Sequence, residues 1–522
     1  MPSFDAIVIG GGHNGLVAAT LIARSGRRTV LLEAFDQLGG AARTVEIAPG
    51  YRVSEVAGLV THLGSKAVAA LGLEAHGLTY AVSDMESLLL DGHRPPLGMA
   101  RSRIVGDVAD SDRTGWQDLH RRLARFAGTL RPFLAETPPR LKGHVRQAAL
   151  PLGRLGLAVR KLGKSDMRDF LRMLLMNIAD VVEEDVRDER IKALVAFDAV
   201  LGTHLGPRSP GSLLTYLYRL AGEADGRHGA IALPAGGMGT VIAALEGTAM
   251  AAGVDIRTRA AVDRIVIEND RAVGVVLGDG ETLRAEAIVS AANPVTTLMH
   301  LVGVQHLDTD TVRRLASIRS RGNVARLHLA LDGLPEFTGV AVDRMTARLV
   351  LAPSLEAIER AFDHAKYGEI SAEPVMEVVV PSVADPGLAP AGRHVLSANV
   401  QFAPYRLKTG WVKGKDELKA KALAVLERHA PGIGSLIRHA ELLSAVDIET
   451  RCRMPGGHWH HGELTVDQMF WLRPMQVAAQ YRSPIPGLWL AGAGSHPGGN
   501  VMGLAGANAA RAVIAGEGKA WH

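Results

Sequence analysis

Three glycines near the start of the chain have the spacing of a nucleotide-binding loop. Gly10, Gly12 and Gly15 form a GxGxxG pattern between an apolar, β-branched run at residues 6–9 and a stretch of helix formers at residues 16–24. In a strand–loop–helix unit such glycines allow a tight turn, a close approach of the backbone to a pyrophosphate and close helix–strand packing. The amino end of the helix then faces the phosphates. The pattern therefore predicts a dinucleotide site in this loop.

The residues after the loop favour one kind of dinucleotide. A second apolar run at residues 29–32 leads to Glu33, eighteen residues after the last glycine of the pattern, where a carboxylate can bind a ribose hydroxyl. Gly39 and Gly40 follow, and a nicotinamide-binding domain does not need this second pair. A flavoprotein uses such a pair to bring backbone close to a longer cofactor. We therefore expect FAD, with Arg43 either supplying charge to the cofactor or lying at the surface.

A second glycine-rich stretch, GAGSHPGGNVMGLAG at residues 492–506, raises the question of a second nucleotide site. It also lies between an apolar run and helix formers, but Pro497 stands where GxGxxG has its third glycine. An independent dinucleotide fold needs a further strand and an acidic residue about twenty positions on, and only sixteen residues follow Gly506. We therefore expect this stretch to complete the first site. The expected contacts are Gly492, Ala493 and Gly494 along the ribityl chain and Val501, Met502 and Gly503 at the flavin ring, where amides at a helix amino end stabilise negative charge.

Composition excludes several classes of protein. A chain of 522 residues exceeds one hydrophobic core, so we expect two or three domains. The net charge of +4, without an uninterrupted basic tract, gives no indication of nucleic-acid binding. The single cysteine, Cys452, excludes a disulfide framework, a catalytic dithiol and a thiol-ligated zinc site. Residues 4–10 read as a buried strand, so we expect no signal peptide there. No long charge-free apolar run occurs, so we expect no membrane-spanning helix. We therefore expect a cytoplasmic enzyme.

The middle of the chain has two patterns. Residues 110–229 are largely helical in character, whereas residues 230–300 combine a glycine-started helix with strand-like runs and a Gly-Asp-Gly turn. Residues 140–172 hold nine Arg or Lys against two Asp, with apolar residues at roughly helical spacing. Such a segment either lies on an anionic membrane surface or forms a helical pair with a solvated basic face. We favour the helical pair, since Pro151 and two nearby glycines are expected to break the helix.

Taken together, these motifs resemble those of phytoene desaturase-like flavoproteins, which belong with the amine-oxidase type of FAD enzymes. The resemblance rests on the first glycine loop, the GGMG stretch at residues 236–239, HGELTVDQMFWLRP at residues 461–474 and the closing glycine stretch. The branch it matches best is the phytoene dehydrogenase-related group named after pyridine nucleotide-disulfide oxidoreductase domain 2. It implies an α/β fold, in which a Rossmann-type FAD-binding domain carries an inserted mixed α+β substrate domain.

The resemblance also implies domain limits and cofactor contacts. The FAD-binding domain would comprise residues 1–85, 230–300 and 471–522, and the substrate domain residues 86–229 and 301–470. The implied contacts are Gly10, Gly12, Gly15 and the backbone of His13 and Asn14 at the pyrophosphate, Glu33 and Ala34 at the adenosine ribose, Gly39, Gly40, Ala41, Ala42 and Arg43 along the cofactor, and the backbone of Val262 at the adenine. One departure is Ala41, where the family usually has arginine.

Three histidines are candidates for catalysis. Removal of a hydride from one carbon and a proton from its neighbour needs a proton acceptor, and histidine accepts protons near neutral pH. His496 lies in the closing loop, His461 precedes Glu463 in the HGE segment, and His62 follows the first cofactor segment. Each is alternatively a hydrogen-bonded structural histidine, which is the commoner role. The family reading needs no metal at the GHWHHGE cluster, and we expect none there.

Three functions follow from these motifs. The first is an FAD-dependent oxidoreductase that dehydrogenates a C–H bond of a hydrophobic substrate, such as a polyene, an isoprenoid or a lipid, by hydride transfer to flavin N5. The second keeps the fold but oxidises amines or other small molecules. The third is an FAD-bound interaction protein with little turnover. The expected partner is a hydrophobic small molecule, with peripheral membrane contact through residues 140–172 as an open alternative. The sequence leaves the oligomeric state open.

Overall fold

Apolar runs separated by glycine-rich turns form two large β-sheets and three two-stranded sheets. The computed structural model describes residues 3–139 and 145–516. In these residues the strands are β1 (Ser3–Ile9), β2 (Thr29–Leu32), β3 (Thr44–Ala48), β4 (Tyr51–Ser54), β5 (Tyr80–Val82), β6 (Ser87–Leu90), β7 (Leu97–Ala100), β8 (Arg103–Val105), β9 (Glu223–Ala224), β10 (Arg227–His228), β11 (Leu233–Pro234), β12 (Asp255–Arg257), β13 (Val262–Glu268), β14 (Arg271–Leu277), β15 (Thr282–Ser290), β16 (Val324–Leu331), β17 (Arg348–Leu351), β18 (Met376–Val379), β19 (His394–Gln401), β20 (Ile437–Leu443) and β21 (Leu488–Leu490).

The helices divide between the two large sheets. They are α1 (His13–Arg24), α2 (Ser65–Leu71), α3 (Asp110–Ala135), α4 (Val145–Lys161), α5 (Lys164–Met173), α6 (Ile178–Asp185), α7 (Glu189–Val200), α8 (Ser212–Ala221), α9 (Met238–Ala251), α10 (Thr309–Ala316), α11 (Leu355–Lys366), α12 (Pro381–Ala384), α13 (Trp411–His429), α14 (Ile433–Leu436), α15 (Ala445–Cys452) and α16 (Leu504–Ile514). No helix in residues 3–139 and 145–516 has the length and apolar character needed to cross a bilayer.

The first large sheet places both glycine-rich loops at one edge. Its strand order is β12-β2-β1-β15-β14-β13, and β21 pairs with the end of β15. Strands β12, β2, β1, β15 and β21 run parallel, whereas β14 and β13 form an antiparallel extension. Val8 is aligned with Val289, and Val289 with Trp489. Because β1 and β21 therefore end at the same edge, the loops that follow them leave the sheet together.

Apolar layers cover both faces of this sheet. Helices α1, α9 and α16 bury their apolar side chains against Val8 and Val289 on one face. On the other face Ile7 packs with the β13–β14 extension and with a π-helical segment, Thr296–Gly303. Burial on both faces explains why β1 is an uninterrupted apolar run.

The second large sheet supports the rest of the chain. Its order is β20-β16-β19-β18-β17-β6-β7-β8, with β17 and β6 parallel and the other pairs antiparallel. Helices α3, α6, α7, α8 and α11 share an apolar core that reaches Leu89 and Val350 on one face. Helix α13 contributes Leu418 and Leu426 to the core on the opposite face. Strand β16 is buried along its whole length, so any polar side chain on it lies inside the protein.

Two helix boundaries differ from those that the sequence predicts. Helix α1 begins at His13, directly after Gly12 and three residues before the run of helix formers at residues 16–24. Helix α4 continues through Pro151, so the expected break at this proline is wrong. Proline removes one backbone hydrogen bond from a helix, but the turns on either side can hold the helix together. The beginning of the basic segment, residues 140–144, lies outside the described residues.

Candidate functional site

The first glycine loop holds a buried carboxylate in a fixed orientation. The backbone amide of Gly11 donates to Oε2 of Glu33 at 2.7 Å, and the amide of Phe35 donates to Oε1 at 2.9 Å. Glu33 is 6% exposed. Each carboxylate oxygen can accept a further hydrogen bond. Glu33 is therefore positioned, with acceptors to spare, for the hydroxyl groups of a ribose, and Ala34 follows it directly.

Two glycines of the GxGxxG pattern are required by the backbone, one by a close contact and one by its conformation. A Cβ on Gly15 would lie 1.9 Å from the carbonyl oxygen of Gly10, and Gly10 itself has a φ of +97°. The amide of Gly39 donates to the carbonyl of Gly11 at 2.9 Å, which brings the second glycine pair, Gly39 and Gly40, beside the first loop. A Cβ on Gly12 would meet nothing within 4 Å, so the centre of this loop is open.

Arg43 is buried rather than at the surface, and its charge is paired inside the protein. Its Nη2 lies 2.7 Å from Oε2 of Glu55, and both side chains are buried. The same nitrogen donates to the carbonyl of Arg451 at 3.0 Å. The guanidinium charge is therefore balanced inside the protein. Nε of Arg43 is buried without a hydrogen-bond partner in the described part of the chain.

The closing glycine stretch packs directly on the first loop. The amide of Gly506, in α16, lies 3.3 Å from Oδ1 of Asn14, in α1. A Cβ on Gly506 would come within 2.1 Å of the Asn14 carbonyl oxygen, so only glycine allows the two helices to approach this closely. Glycine is likewise required at Gly492, whose Cβ would lie 2.4 Å from the carbonyl oxygen of Ala291. Residues about 490 apart in sequence thus share one edge of the sheet.

The remaining predicted cofactor residues border the same loops. Helix α16 begins directly after Gly503, and Val501 and Met502 precede it as buried residues. Ala493 and Gly494 are buried in the loop after β21. Val262 starts β13, and two residues before it the amide of Ala260 donates to the carbonyl of Glu33 at 2.8 Å.

These residues fit FAD. Backbone at the open centre of the first loop can reach a pyrophosphate, and Glu33 can bind the adenosine ribose. Nε2 of His13 and Nε of Arg43 are buried without a hydrogen-bond partner among the residues described, as polar atoms next to a bound ligand are expected to be. The site therefore offers both shape and unused polar atoms to a dinucleotide.

A large cavity connects the cofactor loops to the second sheet. Its empty volume, including the open mouth, is about 1520 Å³. Its lining from the cofactor side includes His13, Ala41, Ala42, Gly237, Asn500 and Val501, and from the second sheet and its helices Leu201, Thr215, Tyr218, Arg326, Arg348, Glu377 and Leu464. A substrate in this cavity would lie between the predicted cofactor residues and the second large sheet.

Of the three candidate histidines, His62 lines this cavity. Its Nε2 lies 3.0 Å from the carbonyl oxygen of Tyr218, which can only accept, so Nε2 carries the proton. Its Nδ1 accepts from the hydroxyl of Thr61 at 2.8 Å and from the amide of Asn500 at 3.1 Å. Burial, together with the nearby charge of Arg219, lowers the pKa of His62 to about 3. His62 is thus a neutral, fully hydrogen-bonded histidine.

His496 and His461 lie outside the cavity lining. Nε2 of His496 donates to the carbonyl of Phe133 at 2.8 Å, and burial lowers its pKa to about 4. Burial and the charge of Arg473 lower the pKa of His461 to about 3. The carbonyl of His461 accepts from Asn293 at 3.3 Å. Both histidines connect the closing segments to the rest of the protein.

The HGE segment is held by one buried arginine. Arg473, 2% exposed, donates to the carbonyl oxygens of His460, Gly462, Glu463 and Ala493. It thereby joins this segment to the closing glycine loop. Nε2 of His458 lies 3.2 Å from Oε1 of Glu463, and both residues are buried. No group of three or more His, Cys, Asp or Glu in residues 3–139 and 145–516 has an arrangement that could hold a metal ion.

Several residues of the cavity escaped the sequence analysis. Tyr218 lies in a helix whose local pattern indicates no ligand, whereas Asn500 and His460 lie in the closing glycine stretch and the GHWHHGE cluster but were not themselves named as contacts. Arg326 had a usable signal, because it is a charged residue in the apolar strand-like run VARLHLALD. A charge in a strand buried on both faces indicates either an internal ion pair or a ligand.

Comparison with known proteins agrees with this geometry. Residues 15–514 match the family of flavin-containing amine oxidoreductases. The mouse pyridine nucleotide-disulfide oxidoreductase domain-containing protein 2 is 32% identical over 98% of this chain and 94% of its own length. A neurosporene-forming phytoene desaturase of Cereibacter sphaeroides is 28% identical over 63% of this chain and 61% of its own length. Cyclohexylamine oxidase from Brevibacterium oxydans shares the fold, with a TM-score of 0.59 and 15% identity over 99% of this chain and 100% of that structure.

The predicted fold and cofactor are confirmed by these comparisons. The α/β FAD-binding fold with a substrate domain is that of the family, and the resemblance to phytoene desaturase-like flavoproteins holds over the matched regions. The chain belongs to the flavin-containing amine oxidoreductase family and is an FAD-dependent oxidoreductase.

Proposed function

We propose that this oxidoreductase dehydrogenates a C–H bond of a hydrophobic substrate inside the cavity. When bound, FAD supplies a two-electron acceptor, at N5, for the hydride that leaves the substrate carbon. The observation that carries the proposal is the continuity of one cavity between the cofactor loops and the second sheet. Apolar side chains, including Val56, Leu59, Leu201 and Leu464, form part of its wall.

The cofactor contacts named from the sequence form the first part of the proposal. We infer that Glu33 holds the adenosine ribose, that the loop at residues 10–15 contacts the pyrophosphate, and that the backbone at residues 501–503 contacts the flavin ring. Support comes from the fixed carboxylate of Glu33 and from the contact between Gly506 and Asn14. The amino end of α16 would stabilise negative charge at the ring. For Arg43 we infer a supporting role through Glu55.

We propose that the chain forms two domains, each built from separate stretches of sequence. We infer an FAD-binding domain of residues 1–85, 230–300 and 471–522 and a substrate domain of residues 86–229 and 301–470. The strands of the first large sheet come from the former stretches and those of the second large sheet from the latter. This distribution supports the division.

Among the predicted catalytic histidines, we propose that His62 contacts the substrate. Its ring lies in the cavity wall and stacks on the ring of Tyr218 with centroids 4.9 Å apart. With a pKa of about 3 it is a weak proton acceptor at neutral pH, so we infer that it orients the substrate and that the proton lost by the neighbouring carbon passes to water at the open mouth of the cavity. For His496 and His461 we infer positioning roles, since their hydrogen bonds hold the closing segments in place.

We also propose that residues 140–172 make a peripheral contact with a membrane surface. Leu157, Leu171 and the neighbouring Leu175 are each more than half exposed. Lys164 and Arg168 are exposed cations on α5, the helix that carries Leu171, whereas Arg172 pairs with Glu184. Exposed leucines beside cations suit an anionic bilayer surface, from which a hydrophobic substrate would enter. Phe170 and Met173 hold the other face of α5 in the core.

Anaerobic mixing of the purified protein with candidate substrates tests the function. A polyene or other hydrophobic C–H donor is expected to bleach the visible absorption of oxidised flavin, and matched primary amines are expected not to. Bleaching by amines alone would establish the amine-oxidase alternative. A flavin that dithionite reduces but that no C–H donor or amine bleaches would instead support the interaction-protein alternative.

A further inference from the structure

One wall of the cavity contains buried charges in which cations outnumber anions. Three arginines and two carboxylates line it, namely Asp198, Arg219, Arg326, Arg348 and Glu377. Arg348 pairs with both carboxylates, since its Nη2 lies 2.5 Å from Asp198 and its Nη1 lies 3.0 Å from Glu377. Three positive charges against two negative ones leave a net charge of +1 on this wall.

The excess charge is located most clearly on Arg326. This residue is 5% exposed, and its Nη1 donates to Oδ1 of Asn399 at 2.8 Å while Nη2 donates to the carbonyl of Ser54 at 3.4 Å. Both partners are neutral. Its Nε is buried without a hydrogen-bond partner in the described part of the chain. Glu377 makes no ion pair with it and is bridged to it by Asn399, whose Nδ2 donates to Oε1 of Glu377 at 2.5 Å.

The surroundings of Arg326 do not neutralise it. Burial lowers its pKa to about 10, which leaves the guanidinium charged at neutral pH. His328, two residues along the same strand, is kept neutral because burial and the charge of Arg326 lower its pKa to about 3. A buried cation without a carboxylate in direct contact is costly, so an anion in the cavity would stabilise this wall.

Room for the guanidinium is provided by a glycine in the cavity wall. A Cβ on Gly58 would lie 2.6 Å from Nη2 of Arg326. Any side chain at this position would therefore displace the arginine from the segment that contains Ser54, Gly58 and His62, all of which line the cavity. The arrangement keeps one charged, partly unused donor group in the wall of the site.

We propose that the cavity recognises a carboxylate, with Arg326 binding the acid group of a substrate that also has an apolar body. The proposal rests on the proposed function, because it names the substrate class of the same site. One carboxylate balances a net charge of +1, and the planar guanidinium matches carboxylate geometry. The apolar body would lie against Val56, Leu59, Leu201 and Leu464. An amine is a cation and is repelled by this wall.

Binding of three probes with one common chain tests the proposal. Decanoate, 1-decanol and decylamine are titrated separately into the FAD-loaded protein by calorimetry. Decanoate is expected to bind about tenfold or more tightly than decanol, because a charge-assisted hydrogen bond adds to the shared apolar contacts. Decylamine is expected to bind most weakly. Equal affinities for decanoate and decanol, or tightest binding of decylamine, would overturn the proposal.

Variants of Arg326 separate recognition from structural support. Arg326→Gln is expected to weaken decanoate binding about tenfold to a hundredfold and to leave decanol binding nearly unchanged. Arg326→Lys, which keeps the charge, is expected to retain part of the preference. Arg393→Gln, at an exposed arginine that bonds to Asp332 and Tyr51, serves as the matched control and should change neither affinity. Equal loss of both ligands in Arg326→Gln would show a purely structural role.

The same titrations distinguish failure of this proposal from failure of the proposed function. The flavin spectrum of each sample shows whether FAD is bound. Bound and reducible flavin without carboxylate preference would reject the carboxylate site and leave the oxidoreductase intact. Carboxylate preference in a protein whose flavin is reduced by no C–H donor would reject the dehydrogenation and leave the recognition site. The wild-type measurement decides the proposal even where Arg326→Gln does not fold.

Discussion

Glu33 is the single side chain on which nucleotide recognition in the first loop depends most. Glu33→Gln keeps the size of the side chain but replaces one acceptor oxygen with a donor and removes the charge, so its bonds from Gly11 and Phe35 cannot both persist. The dissociation constant of FAD is expected to rise about tenfold to a hundredfold.

Titration of the deflavinated protein with FAD, followed by quenching of flavin fluorescence, measures this change. Asp36→Asn is the matched control, because Asp36 is exposed and lies 3.5 Å from Arg259 in a weak surface pair. The control should bind FAD as the wild type does. Unchanged affinity in Glu33→Gln would contradict the assignment of this residue to the ribose.

Buried histidines make the stability of the protein depend on pH. His328 is fully buried, with Nδ1 2.8 Å from the Ser397 hydroxyl and Nε2 3.0 Å from the carbonyl of Glu55, and burial lowers its pKa from 6.5 to about 3. Between these values the unfolded chain binds a proton that the folded chain does not. The free energy of unfolding is therefore highest above pH 6.5 and falls below it, by about 1.4 kcal/mol per pH unit for this histidine.

Urea unfolding at several pH values between 5 and 7.5 gives the free energy of unfolding at each pH. In this range of about two pH units, proton uptake by the unfolded chain sets how that free energy changes with pH. His328→Asn should be less stable at pH 7.5. Its free energy of unfolding should also fall less steeply below pH 6.5, by the amount that one bound proton contributes. His93→Asn, at an exposed histidine, should keep the wild-type slope. The same slope in all three proteins would contradict the account.

At the scale of elements, the contact between α1 and α16 brings the two ends of the chain to one site. Gly506→Ala places a Cβ 2.1 Å from the carbonyl of Asn14, so α16 must move away from α1. Overpacking of this kind costs about 1–3 kcal/mol of stability. We expect this loss together with weaker FAD binding.

The control for this change is the same substitution in another helix. Gly128, in α3, has nothing within 4 Å of an added Cβ. Gly128→Ala is therefore expected to stabilise the protein by about 0.5–1 kcal/mol, because alanine is the better helix former. Thermal unfolding of both variants gives the comparison. A stabilised Gly506→Ala variant with normal FAD affinity would show that the two helices are not held as described.

Elements with strong local patterns could be predicted from the sequence. The run before Gly10, the GxGxxG loop and Glu33 act over about twenty residues, and their types alone indicate the fold of that stretch. Helix α4 was less predictable, because Pro151 weakens a helix locally while neighbouring turns decide whether it ends. The start of α1 at His13 was also hard to predict to the residue, because Gly12 before it provides no side-chain cap.

At the scale of the whole molecule, the cavity was beyond reach of local patterns. Arg326 and Ser54 meet across 272 positions of sequence, and Asn500 reaches His62 across 438. Hydrophobic periodicity cannot predict either contact, because it indicates only which face of a helix or strand is buried. Arg43 was expected either at the cofactor or at the surface, whereas it pairs with Glu55, which lies opposite it at the open end of the β3–β4 hairpin. The identity of the cofactor was predictable from local motifs, whereas the cavity required the fold.

We infer that segments near both ends of the chain bind one FAD that faces the cavity. A crystal structure of the FAD complex measures this directly. We predict one FAD per chain, with its adenosine ribose at Glu33, its pyrophosphate at residues 10–15 and its ring in contact with residues 501–503. A ring outside the cavity, or an FAD that contacts the first glycine loop but not the closing one, would contradict the account.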